Sequence, residues 1–215
     1  MADLMVGQLS LNDLASLLGC RAAFKLLRDN LARINHYYIL SCKLAGLNLT
    51  NTTKRELSIQ LLDNGDLESI VKNVGSMDAY SRKDIISRLL FYKSGFRNCY
   101  AAKTTDGKVA HIMWLIYPRE NPLIQKNFRR KFYPLKDDEV MIENAFTFPA
   151  FRRRGVFPTV MAGLLDIAAN DGYKTAIAYV RKDNIASLNE VTKFGFRINK
   201  MVKEYKVLGV ATRTL

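Results

Sequence analysis

Between residues 139 and 208 the chain alternates strand-like and helix-like stretches, and this alternation restricts its fold more than any other feature. Glu139 to Phe148 reads as a strand, Gly155 to Asn170 as a helix and Tyr173 to Val180 as a strand. Ile185 to Phe194 then reads as a helix and Phe196 to Leu208 as a final strand or hairpin. Strand and helix in turn imply an α/β layer with a sheet at its centre and helices against its faces.

The upstream chain fits the same plan. His36 to Leu44 and Glu56 to Leu62 read as strands, the second closed by a turn at Asn64-Gly65. Asp66 to Val74 reads as a helix capped by Asp66, and Ser81 to Lys93 as another, with Ile85, Ile86, Leu89 and Leu90 in one stripe. Phe96 to Lys103 and Lys108 to Tyr117 flank Thr105-Asp106-Gly107, the signature of a hairpin. Met113 to Ile116 form an apolar run, as expected for a strand covered on both faces. Pro118 to Asp138, with three prolines and a basic aromatic cluster at Lys126 to Tyr133, is expected to be a surface loop that covers a substrate. Two amphipathic helices, over Ser10 to Leu18 and Arg21 to Ala32, are expected to form an N-terminal extension over residues 1–33, leaving 34–215 as one domain.

Size and charge narrow the function. A chain of 215 residues buries one sizeable core. A net charge of +13 favours an acidic partner: coenzyme A phosphates, an acyl carrier protein, nucleic acid or an anionic membrane face. The basic residues are spread from Arg21 to Arg213 without forming a stripe, which disfavours nucleic acid. Cys20, Cys42 and Cys99 are odd in number and lack metal-ligand spacing, so neither a disulfide framework nor a metal site is expected. No apolar run approaches the ~20 residues that span a bilayer, and no secretory signal is read at the start, so a cytoplasmic location is expected.

The stretch Phe148-Pro149-Ala150-Phe151-Arg152-Arg153-Arg154-Gly155-Val156-Phe157-Pro158 lies between a predicted strand and a predicted helix. The first N–H groups of a helix lack intrahelical partners, and the helix dipole adds partial positive charge there, so this junction suits an anion. Gly155 admits close backbone approach, and three arginines add charge outside the amides. A tight solvated turn accounts for the same residues.

Arg152 and Gly155 resemble the first two fixed positions of the hallmark of the GNAT acyltransferase superfamily: Arg or Gln, two residues, Gly, one residue, then Gly or Ala. Phe157 stands at the third and departs from it. Asn184-Ile185-Ala186-Ser187, followed by Lys193-Phe194-Gly195-Phe196, resembles the family's second motif. The resemblance covers mainly Glu139 to Phe196. It implies a mixed, mostly antiparallel sheet of about seven strands flanked by helices. It also implies acetyl-coenzyme A or another acyl-coenzyme A as donor, its diphosphate cradled by the amides from Arg153 to Phe157 around Val156. The pantetheine arm is expected in a splay between strands 139–148 and 173–180, against Phe146, Thr147 and Phe148, with Asn184 and Ser187 facing it. An ordinary N-cap explains Asn184 equally well.

Amine acylation needs a deprotonated nitrogen and a protonated leaving thiolate. The family resemblance gives the base role to Glu143, which at an even offset from Thr147 is expected on the same strand face. An ion pair with a basic neighbour is its plainer alternative. The family's general-acid Tyr is replaced by Val191, and Tyr179 is the candidate substitute. His36 and His111 are expected as core or edge residues. The acceptor is expected to be a small amine such as an amino sugar or amino acid. Two alternatives stay open: an acyl-carrier-protein-dependent long-chain N-acyl amino acid synthase, and a noncatalytic binding module using the basic surface. Homodimer formation is left open.

Overall fold

A computed structural model describes residues 32–47, 57–207 and 210–215. Both helices expected in the N-terminal extension lie outside these residues apart from Ala32, as does Cys20. The elements run β1 (Ala32–Lys43), β2 (Leu57–Leu61), α1 (Asn64–Val74), α2 (Ala79–Lys93), β3 (Cys99–Thr104) and β4 (Val109–Ile116). They continue through short helical turns over 118–128 to β5 (Glu139–Thr147), α3 (Val156–Asn170), β6 (Thr175–Arg181), α4 (Ile185–Lys193), β7 (Arg197–Val207) and β8 (Val210–Arg213).

The strands form one sheet in the order β2-β3-β4-β5-β6-β1-β7-β8. Every pairing is antiparallel except β5 with β6, which α3 connects. The count among the described residues is eight because the last stretch turns back on itself, pairing Val207 with Val210. Both faces are covered. Leu67, Ile70, Ile85 and Leu89 of α1 and α2 pack on Ile112, Trp114 and Ile116, while Val160 and Leu164 of α3, Val191 of α4 and Phe194 just after it pack on Met113 and Leu115. Burial on two faces explains why β4 reads as an unbroken apolar run, with Met113 to Ile116 each at most 1% exposed.

Three expectations are corrected. Asn64 and Gly65 open α1 instead of forming a turn, because Asp63 is the N-cap: its Oδ1 accepts from the Asp66 amide at 2.8 Å. Asp66 sits at the third helical position and returns the bond, accepting from the Asp63 amide at 3.1 Å in a capping box. Residues 118–138 do not wander over the surface, since Ile124, Phe132 and Leu135 are buried in the core on the α2 side. The third correction concerns the face on which Thr147 lies, and it shapes the site.

Among the described residues no helix is long and apolar enough to cross a membrane.

Candidate active site

Strands β5 and β6 pair from Glu139 with Thr175 through Ile142 with Ala178, and there the ladder stops although both strands continue. The cause lies on the other edge of β5. Glu143 pairs with Trp114 and Phe146 with Ile112, so Asn144 and Ala145 together oppose Met113 in a β-bulge. Asn144 adopts φ 56°, a left-handed conformation that Asn tolerates better than most residues. The extra residue bends β5 away from β6 and reverses the alternation of its side chains. Met141, Phe146 and Phe148 consequently all join the α2-side core, while Ala145 packs toward α3. Thr147 lies on the face opposite Glu143, with its hydroxyl 2.8 Å from Nδ1 of buried His111, whose ring meets Phe157 of α3 edge-on.

A cleft of about 920 Å³ occupies the opened seam. Its lining includes Glu143, Asn144, Ala145 and Tyr179 at the seam itself. Phe157, Asn184, Ser187 and Val191 line it on the α3–α4 side, and Tyr37, Arg88, Lys131 and Arg213 on the α2 side. The cleft therefore passes through the sheet.

Glu143 is half-buried. Loss of water raises its pKa to about 7, opposed by the guanidinium charges of Arg213 and Arg88 and by the backbone amides of Asn144 and Tyr179. Such a carboxylate changes protonation near neutrality, as a general base should. Burial also raises the Tyr179 phenol well above its usual range, so it keeps its proton at neutral pH. Its oxygen accepts from the Tyr133 amide at 3.3 Å, and its ring packs on Phe132.

At the start of α3, Gly155 takes φ 71° and Arg153 φ 61°, and no side chain caps the helix. Among the described residues no backbone carbonyl accepts from the amides of Arg153, Gly155, Val156 or Phe157. Successive amides left this way form a nest suited to diphosphate oxygens. Pro158 at the third helical position removes no bond that the helix could make. Arg152 turns away from the nest: its Nε donates to the Thr147 carbonyl at 3.1 Å and its Nη2 to Ser81 Oγ at 3.0 Å. The Phe148 amide donates to the Ala110 carbonyl at 3.0 Å. These backbone groups of Thr147 and Phe148 are engaged within the protein, and the ring of Phe146 is buried near the guanidinium groups of Arg88 and Arg152. Of β5, Asn144 and Ala145 line the seam, and the Ala145 carbonyl is itself held by Arg88 at 3.1 Å. Asn184 caps α4, its Oδ1 accepting from the Ser187 amide at 3.2 Å. Cys42 and Cys99 are buried free thiols with pKa values raised by burial, unsuited to nucleophilic work.

Sequence reasoning did not single out Arg88, Lys131 or Arg213. Arg88 donates to the Ala145 carbonyl at 3.1 Å, holding the bulge from α2. Arg213 is buried against Glu204, donating through Nε at 2.9 Å, and its Nη1 donates to the Lys131 carbonyl at 3.0 Å. These partners are 57, 9 and 82 residues apart, and no local pattern announces them. Asn144, a turn-favouring residue inside an apolar strand, carried a readable hint.

Sheet order and opened seam together define a fold of the acetyltransferase class, and comparison with known proteins gives the family. The model of the acetyltransferase (GNAT) family matches residues 73–196, more than half of the chain, and the protein belongs to that family. Among solved structures it is similar to the glucosamine N-acetyltransferase region of a fungal multi-domain beta-N-acetylglucosaminidase, with TM-score 0.60 and 11% identity over 85% of this chain and 22% of that one. A GCN5-related N-acetyltransferase from Sphaerobacter thermophilus aligns with TM-score 0.55 and 11% identity over 90% of this chain and 56% of its own. A Drosophila protein aligns with TM-score 0.56 and 12% identity over 88% of this chain and 57% of its own. The chain spans less than two thirds of the length of these structures, and identities this low carry the fold alone. No curated protein matches it.

Proposed function

We propose that the protein is an N-acyltransferase that moves an acetyl or other acyl group from acyl-coenzyme A to the primary amine of a small acceptor. The observation that carries this reading is the seam: β5 and β6 part after Ile142 and Ala178, and Glu143 stands at the parting with a pKa near neutrality. The residues present fit the donor. The amides of Arg153, Gly155, Val156 and Phe157 would hold its diphosphate, and the parted edges of β5 and β6 would receive its pantetheine arm, with Asn184 and Ser187 alongside. Bound there, the donor supplies a thioester carbonyl activated toward an amine.

The protein's own residues supply the rest. Glu143 accepts the proton that the acceptor ammonium must lose before its nitrogen can attack. As the C–N bond forms and the C–S bond breaks, a proton must reach the departing sulfur. Tyr179 is protonated and lines the same cleft, and it is our candidate donor in place of the aliphatic Val191. Positioning by the cleft walls contributes by holding amine and carbonyl together.

Calorimetric titration of acetyl-coenzyme A and of long-chain acyl donors tests the reading directly. Saturable binding, abolished by Gly155→Glu, is expected, because that substitution puts a carboxylate and a strained left-handed residue into the nest. Binding of acyl carrier protein but not of coenzyme A thioesters would move the donor assignment. Failure to bind any thioester would overturn the reading in favour of a noncatalytic module.

A further inference from the structure

The α2-side wall of the cleft contains an unbalanced charge. Three of the carboxylates that line the cleft are committed to neighbours: Asp84 to Arg88 at 3.2 Å, Asp183 to Arg181 at 2.6 Å and Glu204 to Arg213 at 2.9 Å. Glu204 is doubly committed, since its other oxygen accepts from Asn35 at 3.1 Å. The fourth, Glu143, is the proposed base. Lys131 has no carboxylate within ion-pair distance among the described residues, although it is half-buried and lines the cleft.

Its ammonium lies 5.7 Å from the centre of the Phe128 ring. Burial lowers its pKa, opposed by the charge of Glu204, which is itself bonded to Arg213, while Arg213 and Lys206 add like charge. The backbone beneath it is fixed, because Arg213 ties the Lys131 and Arg130 carbonyls to the end of β8. A partly desolvated ammonium that feels Glu204 and Glu143 only from beyond ion-pair distance, beside cationic neighbours, is costly unless something completes it. Lys131 also feels the Glu143 charge, which places it within electrostatic reach of the base.

We infer that the acceptor carries an oxyanion group besides its reacting amine, and that Lys131 binds this group at the α2 side of the cleft. The inference rests on the acyltransferase reading, since it describes the second substrate of that site. An amine with a carboxylate or phosphate a few bonds away would put its anion on Lys131 and its nitrogen toward Glu143. A polyamine would meet Lys131, Lys206 and Arg213 with like charge, which the same wall disfavours.

The test compares L-leucine and L-phenylalanine with their amides, and glucosamine 6-phosphate with glucosamine, with spermidine as the polycation. Calorimetry without acyl donor reads binding, and turnover with saturating acetyl-coenzyme A reads KM and kcat. At least one acid or phosphate should bind about tenfold or more tightly than its neutral partner, the size of a charge-assisted contact. Lys131→Met should erase that difference through KM, leave the neutral partner unchanged and leave acetyl-coenzyme A affinity unchanged. The amino acid and sugar arms report which oxyanion is preferred. Equal binding of every charged and neutral pair, a preference for spermidine, or an undiminished preference in Lys131→Met would overturn the inference. Absence of acetyl-coenzyme A binding would overturn the acyltransferase reading instead, and the donor-free calorimetry would still decide the role of Lys131.

Discussion

Glu143 and Tyr179 stand at the first positions beyond the last β5–β6 pair, Ile142 with Ala178, and the backbone amide of Tyr179 is among the groups that hold down the pKa of the Glu143 carboxyl. A backbone group at the position where the ladder would have continued thereby acts on the group proposed to be the base. The seam follows from the bend in β5, while the raised pKa of Glu143 follows first from its burial there.

Glu143→Gln should lower kcat/KM at pH 8 by ~10²- to 10⁴-fold, the usual contribution of a positioned general base. In the parent enzyme activity should rise with pH through about 7, where the folded carboxyl ionises, and the variant should lack this limb. Stability should move the other way. The unfolded carboxyl titrates near 4.5 and the folded one near 7, so the folded chain holds the extra proton between them and loses stability as pH rises. Glu143→Gln should therefore melt above the parent at pH 8 and close to it at pH 4. A pH–rate profile unchanged by the substitution would exclude Glu143 as base.

Asn144 holds the bulge in a left-handed conformation, so its replacements should separate by backbone tolerance. Asn144→Gly should fold with near-parent stability. Asn144→Val should cost about 1–2 kcal/mol from the unfavourable φ alone, and more of the activity than that loss explains, because straightening β5 moves Glu143. Urea denaturation beside steady-state kinetics checks both, and a valine variant matching the parent would show that the bulge does not depend on Asn144.

How much of this arrangement the sequence displayed follows from the range of the interactions. The alternation from Glu139 to Val207 is written in local periodicity, and the hairpin around Gly107 in local turn chemistry, so both are legible. Gly195, expected at a helix end, takes φ 79° directly after α4. The Glu143–Thr147 relationship was misjudged because an even offset preserves a face only in an unbroken pleat, and one residue in the bulge reverses it. Asn64-Gly65 resembles a turn locally, yet Asp63 immediately before it supplies the stronger signal, a side chain that caps a helix. The cationic wall was legible only in part: the basic aromatic cluster at Lys126 to Tyr133 marked the segment that carries Lys131, while Arg88 and Arg213 come from α2 and β8 and reach the cleft only in the assembled sheet.

Arg213 and Glu204 form a buried pair, each with a side chain less than a tenth exposed. Removing one partner should be worse than removing both. Glu204→Ala leaves the guanidinium uncompensated and should cost about 3–5 kcal/mol, while the double replacement Glu204→Leu with Arg213→Met should recover much of the loss. The single variant should also raise hydrogen exchange over residues 129–133, because Arg213 holds the Arg130 and Lys131 carbonyls. Additive losses in the double variant would mean that the two residues contribute independently.

Asp63 offers a test far from the cleft. Its carboxylate caps α1 and meets Lys103 at 3.0 Å, and Lys103 also reaches Asp66 at 2.7 Å, so one lysine joins β3 to the start of the helix. The Asp66 amide, and after it Lys103, holds the Asp63 pKa below its ordinary 3.8. A depressed carboxylate stabilises above the unfolded pKa and loses that contribution as pH falls through the folded one. Asp63→Ala should accordingly cost about 1 kcal/mol at pH 7, as cap removals do, and the gap to the parent should shrink below pH 3.8. Acetyl-coenzyme A affinity should stay at the parent value throughout, because α1 contributes no residue to the cleft lining. Thermal denaturation across pH measures the first effect and calorimetry the second. A gap that persists undiminished in acid would show that the lost stability comes from packing and not from the ionised cap.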